Sequence, residues 1–116
     1  ISTDLRVNNF SAYRYKGTSY ATLKNYDAAY KSFDLAIKHS GSKNADVFFD
    51  LGVVAINHGM QEPKVKENRM KLAIKVFNNS LTIRPNDKRC YQNIAFAYHQ
   101  LGDEANAEKY RKLLTQ

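Results

Sequence analysis

Apolar residues recur three and four positions apart in six stretches of this 116-residue chain, and turn-forming residues separate the stretches. That spacing places the apolar side chains on one face of an amphipathic helix. It predicts helices at about 9–23, 26–39, 44–58, 65–83, 87–100 and 103–115. The breaks carry the expected chemistry. Asn25 follows the first helix, and Gly41 and Ser42 follow the second. Gly59 stops the third, and Pro85, Asn86 and Asp87 part the fourth from the fifth. Gly102 and Asp103 form the last turn. No alternating pattern of useful length suggests a strand, so the expected class is all-α.

The helices also repeat as pairs. One order of small and aromatic residues runs three times: Tyr13, Gly17, Tyr20, Ala29, Phe33, Ala36; then Phe48, Leu51, Gly52, Ala73, Phe77, Ser80; then Tyr91, Ile94, Ala95, Tyr98, Ala107, Tyr110. Gly17 and Gly52 are 35 residues apart and Ala73 and Ala107 are 34 apart, but Gly52 and Ala95 are 43 apart. The second copy therefore holds nine extra residues. We read one domain, 1–116, with copies at about 10–43, 45–87 and 88–116 and an insertion near 60–71. A Gly or Ala on the first helix of a pair lets the second approach closely. The Ala on the second helix meets it, and aromatic rings fill the surrounding space. One pair cannot bury its faces alone, whereas stacked pairs share a continuous core.

This pattern resembles the tetratricopeptide repeat, W-x2-L-G-x2-Y followed by A-x3-F-x2-A and a proline. Copy one reads Y-x2-K-G-x2-Y, then A-x3-F-x2-A, with Lys24 where the family's turn has Gly. Copy two reads F-x2-L-G with Ala55 in place of Tyr, and ends at Pro85. Copy three reads Y-x2-I-A-x2-Y, with Arg111 where an aromatic residue is usual. The resemblance implies a right-handed α-solenoid whose concave groove is lined by the first helix of each pair. It implies a non-enzymatic scaffold or adaptor that binds a protein or peptide, with no cofactor; the fold alone does not name the ligand.

Helical spacing gives the groove face. Helix one presents Ser11, Arg14, Thr18 and Thr22. Helix three presents Asp46, Phe49, Val53 and Asn57, with Ile56 at its edge. Helix five presents Arg89, Gln92, Phe96 and Gln100, with His99 at its edge. Phe49 and Phe96 are candidate anchors for a peptide or partner helix, and Arg14 and Arg89 candidate holders of acidic groups. The alternative is that the two rings pack on neighbouring helices or on a flanking segment. Chaperone-binding members of the family clamp a terminal carboxylate with Lys and Asn. Here Thr18, Asp50 and Asn93 stand at key positions of that clamp, and Asp50 would repel a carboxylate.

The insertion, Met60 to Lys71, opens with Pro63, a residue suited to a helix start. It predicts a longer second helix for copy two, or an ordered loop before it. Lys64, Lys66, Arg69 and Lys71 form a candidate basic patch for an acidic partner, although charge runs are more often solvated faces.

Composition narrows the function classes. Hydrophobic residues at 43% and charged residues at 25% fit a folded globular chain. No apolar run reaches the roughly 18 residues of a membrane span. Cys90 is the single cysteine, which excludes an intrachain disulfide and a Cys-rich zinc site. It falls on the packing side of helix five, as a buried thiol would. His39, His58 and His99 lie on different helices without metal-ligand spacing, and His39 and His58 read as helix-end residues. No metal site, phosphate loop or nucleophile elbow is recognisable. The net charge of +7 suits an acidic partner. The basic residues are spread over several helices, however, and Tyr13, Tyr20, Tyr91 and Tyr98 occupy core positions, so nucleic acid is disfavoured. Self-association through the open ends of a short stack is an alternative. Two N-x-S sequences, at Asn9 and Asn78, read as chance. The chain starts at Ile1 and reads as a fragment or processed product. The cytoplasm suits a chain without a disulfide, but so do other compartments.

Overall fold

The computed structural model describes the backbone of residues 2–40 and 43–116 and the side chains of residues 11–39 and 43–116. The expected turn at Gly41 and Ser42 and the side chain of Asn9 lie outside these. Among the described residues six helices follow one another: α1 (Ser2–Thr22), α2 (Tyr26–Ser40), α3 (Ala45–Gln61), α4 (Lys66–Ile83), α5 (Lys88–Gln100) and α6 (Glu104–Leu113). A single 3-10 turn, Pro63–Val65, precedes α4. There is no strand among the described residues.

Side-chain caps explain several starts. The Asn44 carboxamide oxygen accepts from the Asp46 and Val47 amides at 2.9 and 3.4 Å. Asp87 accepts from the Arg89 amide at 3.0 Å and Asp103 from the Asn106 amide at 3.1 Å. Each satisfies an amide that has no partner within its helix. At the end of α1, Lys24 takes a left-handed φ of 63°, and the Asn25 amide donates back to the Tyr20 carbonyl at 2.8 Å. Gly102 makes the matching turn after α5 with φ 79°.

Two boundaries differ from the sequence reading. Helix α1 starts at Ser2, seven residues early, although residues 2–8 carry little apolar periodicity. Gly59 does not stop α3, which runs two residues further. A Cβ on Gly59 would lie 3.1 Å from the Arg69 Cβ and the Met70 Cε. This glycine lets α4 cross closely; it does not break the helix.

The helices pack as α1 on α2, α3 on α4 and α5 on α6. The α2–α3 and α4–α5 contacts join the pairs, and α3 also touches α1 and α5. The result is an all-α solenoid measuring 50 × 33 × 17 Å. The small-against-aromatic pattern becomes specific here. Phe33 lies against Gly17 and Phe77 against Gly52, and both rings are fully buried. Around Phe33 gather Tyr26, Ala29, Ala36, Val47, Phe48 and Leu51. Around Phe77 gather Ala55, Met70, Ala73, Cys90, Ile94 and Ala97. Burial pushes the Cys90 thiol up from its ordinary range, as befits a core residue.

Candidate functional site

Helices α1 and α3 lie side by side with a cleft of about 380 Å³ between them. Thr18, Ala21 and Thr22 of α1 form one wall. Phe49, Asp50, Val53, Val54, Asn57 and Gln61 of α3 form the other, and Lys24 and Tyr26 close one end. Thr18, Phe49, Val53 and Asn57, expected on the groove face, therefore do meet. The floor is apolar. The Thr18 and Thr22 hydroxyls donate to the carbonyls of Arg14 and Thr18, at 3.2 and 3.0 Å, and remain acceptors toward the cleft.

The charged groove residues are engaged with one another. The Arg14 Nε donates to Asp50 at 2.6 Å, tying α1 to α3. Arg84 donates to Asp46 at 2.9 Å and holds its carboxyl below the usual carboxylate range. Arg89 donates to Asp87 at 2.8 Å with the same effect. Its guanidinium also lies 4.3 Å from the centre of the Phe49 ring, which meets Phe77 edge-on at 5.5 Å. Phe49 is thus half-buried and roofed by a cation.

Phe96 sits elsewhere. With Gln92, Ala95, His99, Arg111 and Leu114 it lines a separate cavity of about 280 Å³ where α5 meets α6. Gln100 lines neither cavity. The two candidate anchors therefore serve different surfaces.

The insertion residues are also divided. Lys64 is exposed, and Lys71 pairs with Glu67 at 3.4 Å. Arg69 turns inward, its guanidinium 4.7 Å from the centre of the Tyr30 ring and its buried Nε without a hydrogen bond.

Sequence spacing missed the role of His58. This side chain is buried, stacked on Tyr26 at 4.1 Å. The Tyr30 hydroxyl lies 2.8 Å from its Nδ1 and the Glu62 carboxylate 2.9 Å from its Nε2. It joins the first helical pair to the second. Tyr26 and Tyr30, one turn apart on α2, were the available signal. Burial raises the Tyr30 hydroxyl to about 12. Lys24 and Gln61, also absent from the expected site, reach the cleft from a turn and from the extension of α3 beyond Gly59.

Among the described residues no cluster of His, Cys, Asp and Glu could hold a metal ion, and no helix is long and apolar enough to cross a membrane.

Residues 88–114 match the family described as tetratricopeptide repeat. No curated protein matches the chain in sequence. Among solved structures, a crystal structure of MamA is 27% identical with a TM-score of 0.77, over 90% of this chain and 52% of that one. A MamA mutant is 28% identical with a TM-score of 0.75, over 92% and 71%. A MamA AMB-1 structure is 29% identical with a TM-score of 0.69, over 85% and 49%. The chain spans about half the length of the first and third of these proteins. Residues 88–114 are thus similar to a tetratricopeptide repeat, and the stacked helical pairs before them share the fold of the MamA structures.

Proposed function

We propose that the chain is a protein–protein interaction scaffold that seats a peptide or helix of a partner between α1 and α3. The carrying observation is the cleft of about 380 Å³, with an apolar floor at Ala21, Phe49 and Val53 and primary amides at Asn57 and Gln61 on its rim. This volume falls in the range of about 300–1,000 Å³ common to ligand sites. Arg14 and Asp50 neutralise each other, so that side of the cleft offers burial and amide hydrogen bonds around its apolar floor. The similarity of residues 88–114 to the tetratricopeptide repeat, a family of interaction modules, supports the same reading.

The test is selection of binders from a phage-displayed dodecapeptide library, followed by amide chemical-shift mapping. Shifts centred on Thr18, Val53 and Asn57, with binding abolished by Val53→Asp, are the expected result. Shifts centred on Lys64 in the turn before α4 and Lys71 on α4 would overturn it.

A second reading rests on Phe96, which is 39% exposed beside Ala95 and Leu114 at the end of the stack. Two copies meeting there would hide this apolar strip. Sedimentation over a range of concentrations should then show a dimer that Phe96→Glu abolishes; a monomer throughout removes this reading.

A further inference from the structure

We infer that the α1–α3 cleft selects an apolar side chain neighboured by a carboxylate, and that Lys24 is the specificity residue that receives the carboxylate. The inference rests on the groove reading and names the ligand class of the same site.

Three observations at Lys24 carry it. First, Lys24 lines the cleft, whereas the carboxylate that also lines it, Asp50, is already held by Arg14 at 2.6 Å. Second, Lys24 has no ion pair among the described residues. Asp27 and Glu62 face it from the adjoining cavity, where Arg69 and His58 also lie, but neither carboxylate comes within ion-pairing distance. Third, its backbone is left-handed, with φ 63°. The matching turn of the third helical pair has Gly102 at φ 79°, where no Cβ resists the conformation. A lysine at this turn sits in a costlier backbone than glycine would, at the lip of an apolar cleft. Strain of that kind gathers at binding sites.

The rest of the cleft fits such a ligand. Val53 and Phe49 supply the apolar floor, and Asn57 and Gln61 stand one helical turn apart on the α3 wall of the same cleft. Their amides can donate to and accept from an extended main chain. The chain's net charge of +7 draws an acidic ligand in from solution. A lysine after a helix C-terminus also complements the helix dipole. That role alone gives no preference between an acidic peptide and its amide counterpart.

The experiment uses a phage-displayed dodecapeptide library against the wild-type chain, Lys24→Gly, Lys24→Arg and Val53→Asp. Wild type and Lys24→Arg should enrich sequences with Asp or Glu beside an apolar anchor, and Lys24→Gly should keep the anchor and lose the acid. For one selected peptide, changing its acid to the amide should weaken binding to wild type about fivefold, as an exposed ion pair allows. The same change should leave binding to Lys24→Gly unaltered. Because glycine suits this backbone, Lys24→Gly should melt no lower than wild type, so a lost preference is not lost folding. If the selected peptides show no acid preference, or keep it in Lys24→Gly, while Val53→Asp abolishes binding, the inference fails and the groove reading stands. If no peptide binds, or Val53→Asp changes nothing, both fail.

Discussion

Adding one methyl group at Gly52 tests the close approach on which the second helical pair is built. A Cβ there would lie 2.6 to 2.7 Å from three carbons of the Phe77 ring. Ordinary carbon contacts begin near 3.5 Å, so the overlap approaches 1 Å. The Phe77 ring has no room to turn away: it is fully exclude from solvent among Ala55, Met70, Ala73 and Ile94, with Phe49 on its edge. Relief must come from α3 and α4 moving apart, which loosens every contact along their shared face. Overpacking of this kind costs about 1–3 kcal/mol, and the depth of the overlap argues for the upper end. Replacing a mid-helix glycine by alanine returns about 1 kcal/mol through helix propensity. The net expectation for Gly52→Ala is a loss of about 2 kcal/mol.

Urea unfolding followed by circular dichroism measures this directly. The sharper test is the sign in a second background. In Phe77→Leu the ring is gone, and Gly52→Ala should then stabilise by up to about 1 kcal/mol, so the pair is strongly non-additive. Gly59→Ala gives a contrast, since its Cβ would meet the Arg69 Cβ and the flexible end of Met70 at 3.1 Å. It should lie within about 1 kcal/mol of wild type. A Gly52→Ala chain as stable as wild type, with the same effect in the Phe77→Leu background, would refute the reasoning.

Two further expectations concern pH. Arg84 and Arg89 hold the carboxyls of Asp46 and Asp87 below the usual range, whereas unfolded aspartates titrate near about 3.9. The stability they contribute is complete above that value and is lost as pH falls through the folded values. The melting temperature should therefore drop on acidification below about pH 4, and Asp87→Asn should shrink the drop; an unchanged profile would contradict the pairing. At the alkaline end, Tyr30 is raised to about 12 while an unfolded tyrosine titrates near about 10. Its contribution is complete below the lower value and lost as pH rises toward the upper one. Ultraviolet titration should show a tyrosinate change above pH 11 that is absent in Tyr30→Phe, and a chain whose tyrosines all ionise near 10 would count against the burial of that hydroxyl.

What could be read from the chain follows from what helical spacing encodes. A helix's own phase decides which of its faces is apolar, so Ala29, Ala73 and Ala107 were expected in contact with a partner helix and all three are fully buried. Phase does not say which helix covers a given face. Phe49 and Phe96 lie on the same face of α3 and α5, one turn apart in the repeat register, yet Phe49 has a following pair whose Arg89 roofs it, whereas Phe96 looks out beside Leu114 at the end of the described stack. The same limit hides His58, whose partners Tyr26 and Tyr30 come from α2. Gly59 shows the converse error, because low helix propensity and close helix crossing call for the same residue and only the neighbouring chain distinguishes them. The cleft itself lies on this boundary. Thr18, Val53 and Asn57 follow from phase alone. Lys24 belongs to no helical face and is brought there by a left-handed turn. Glycine is the residue that this turn conformation favours, so a lysine there has to be explained by something other than the fold. On the reading proposed above, the cleft beside it gains from an ammonium, in addition to the C-terminal dipole of α1.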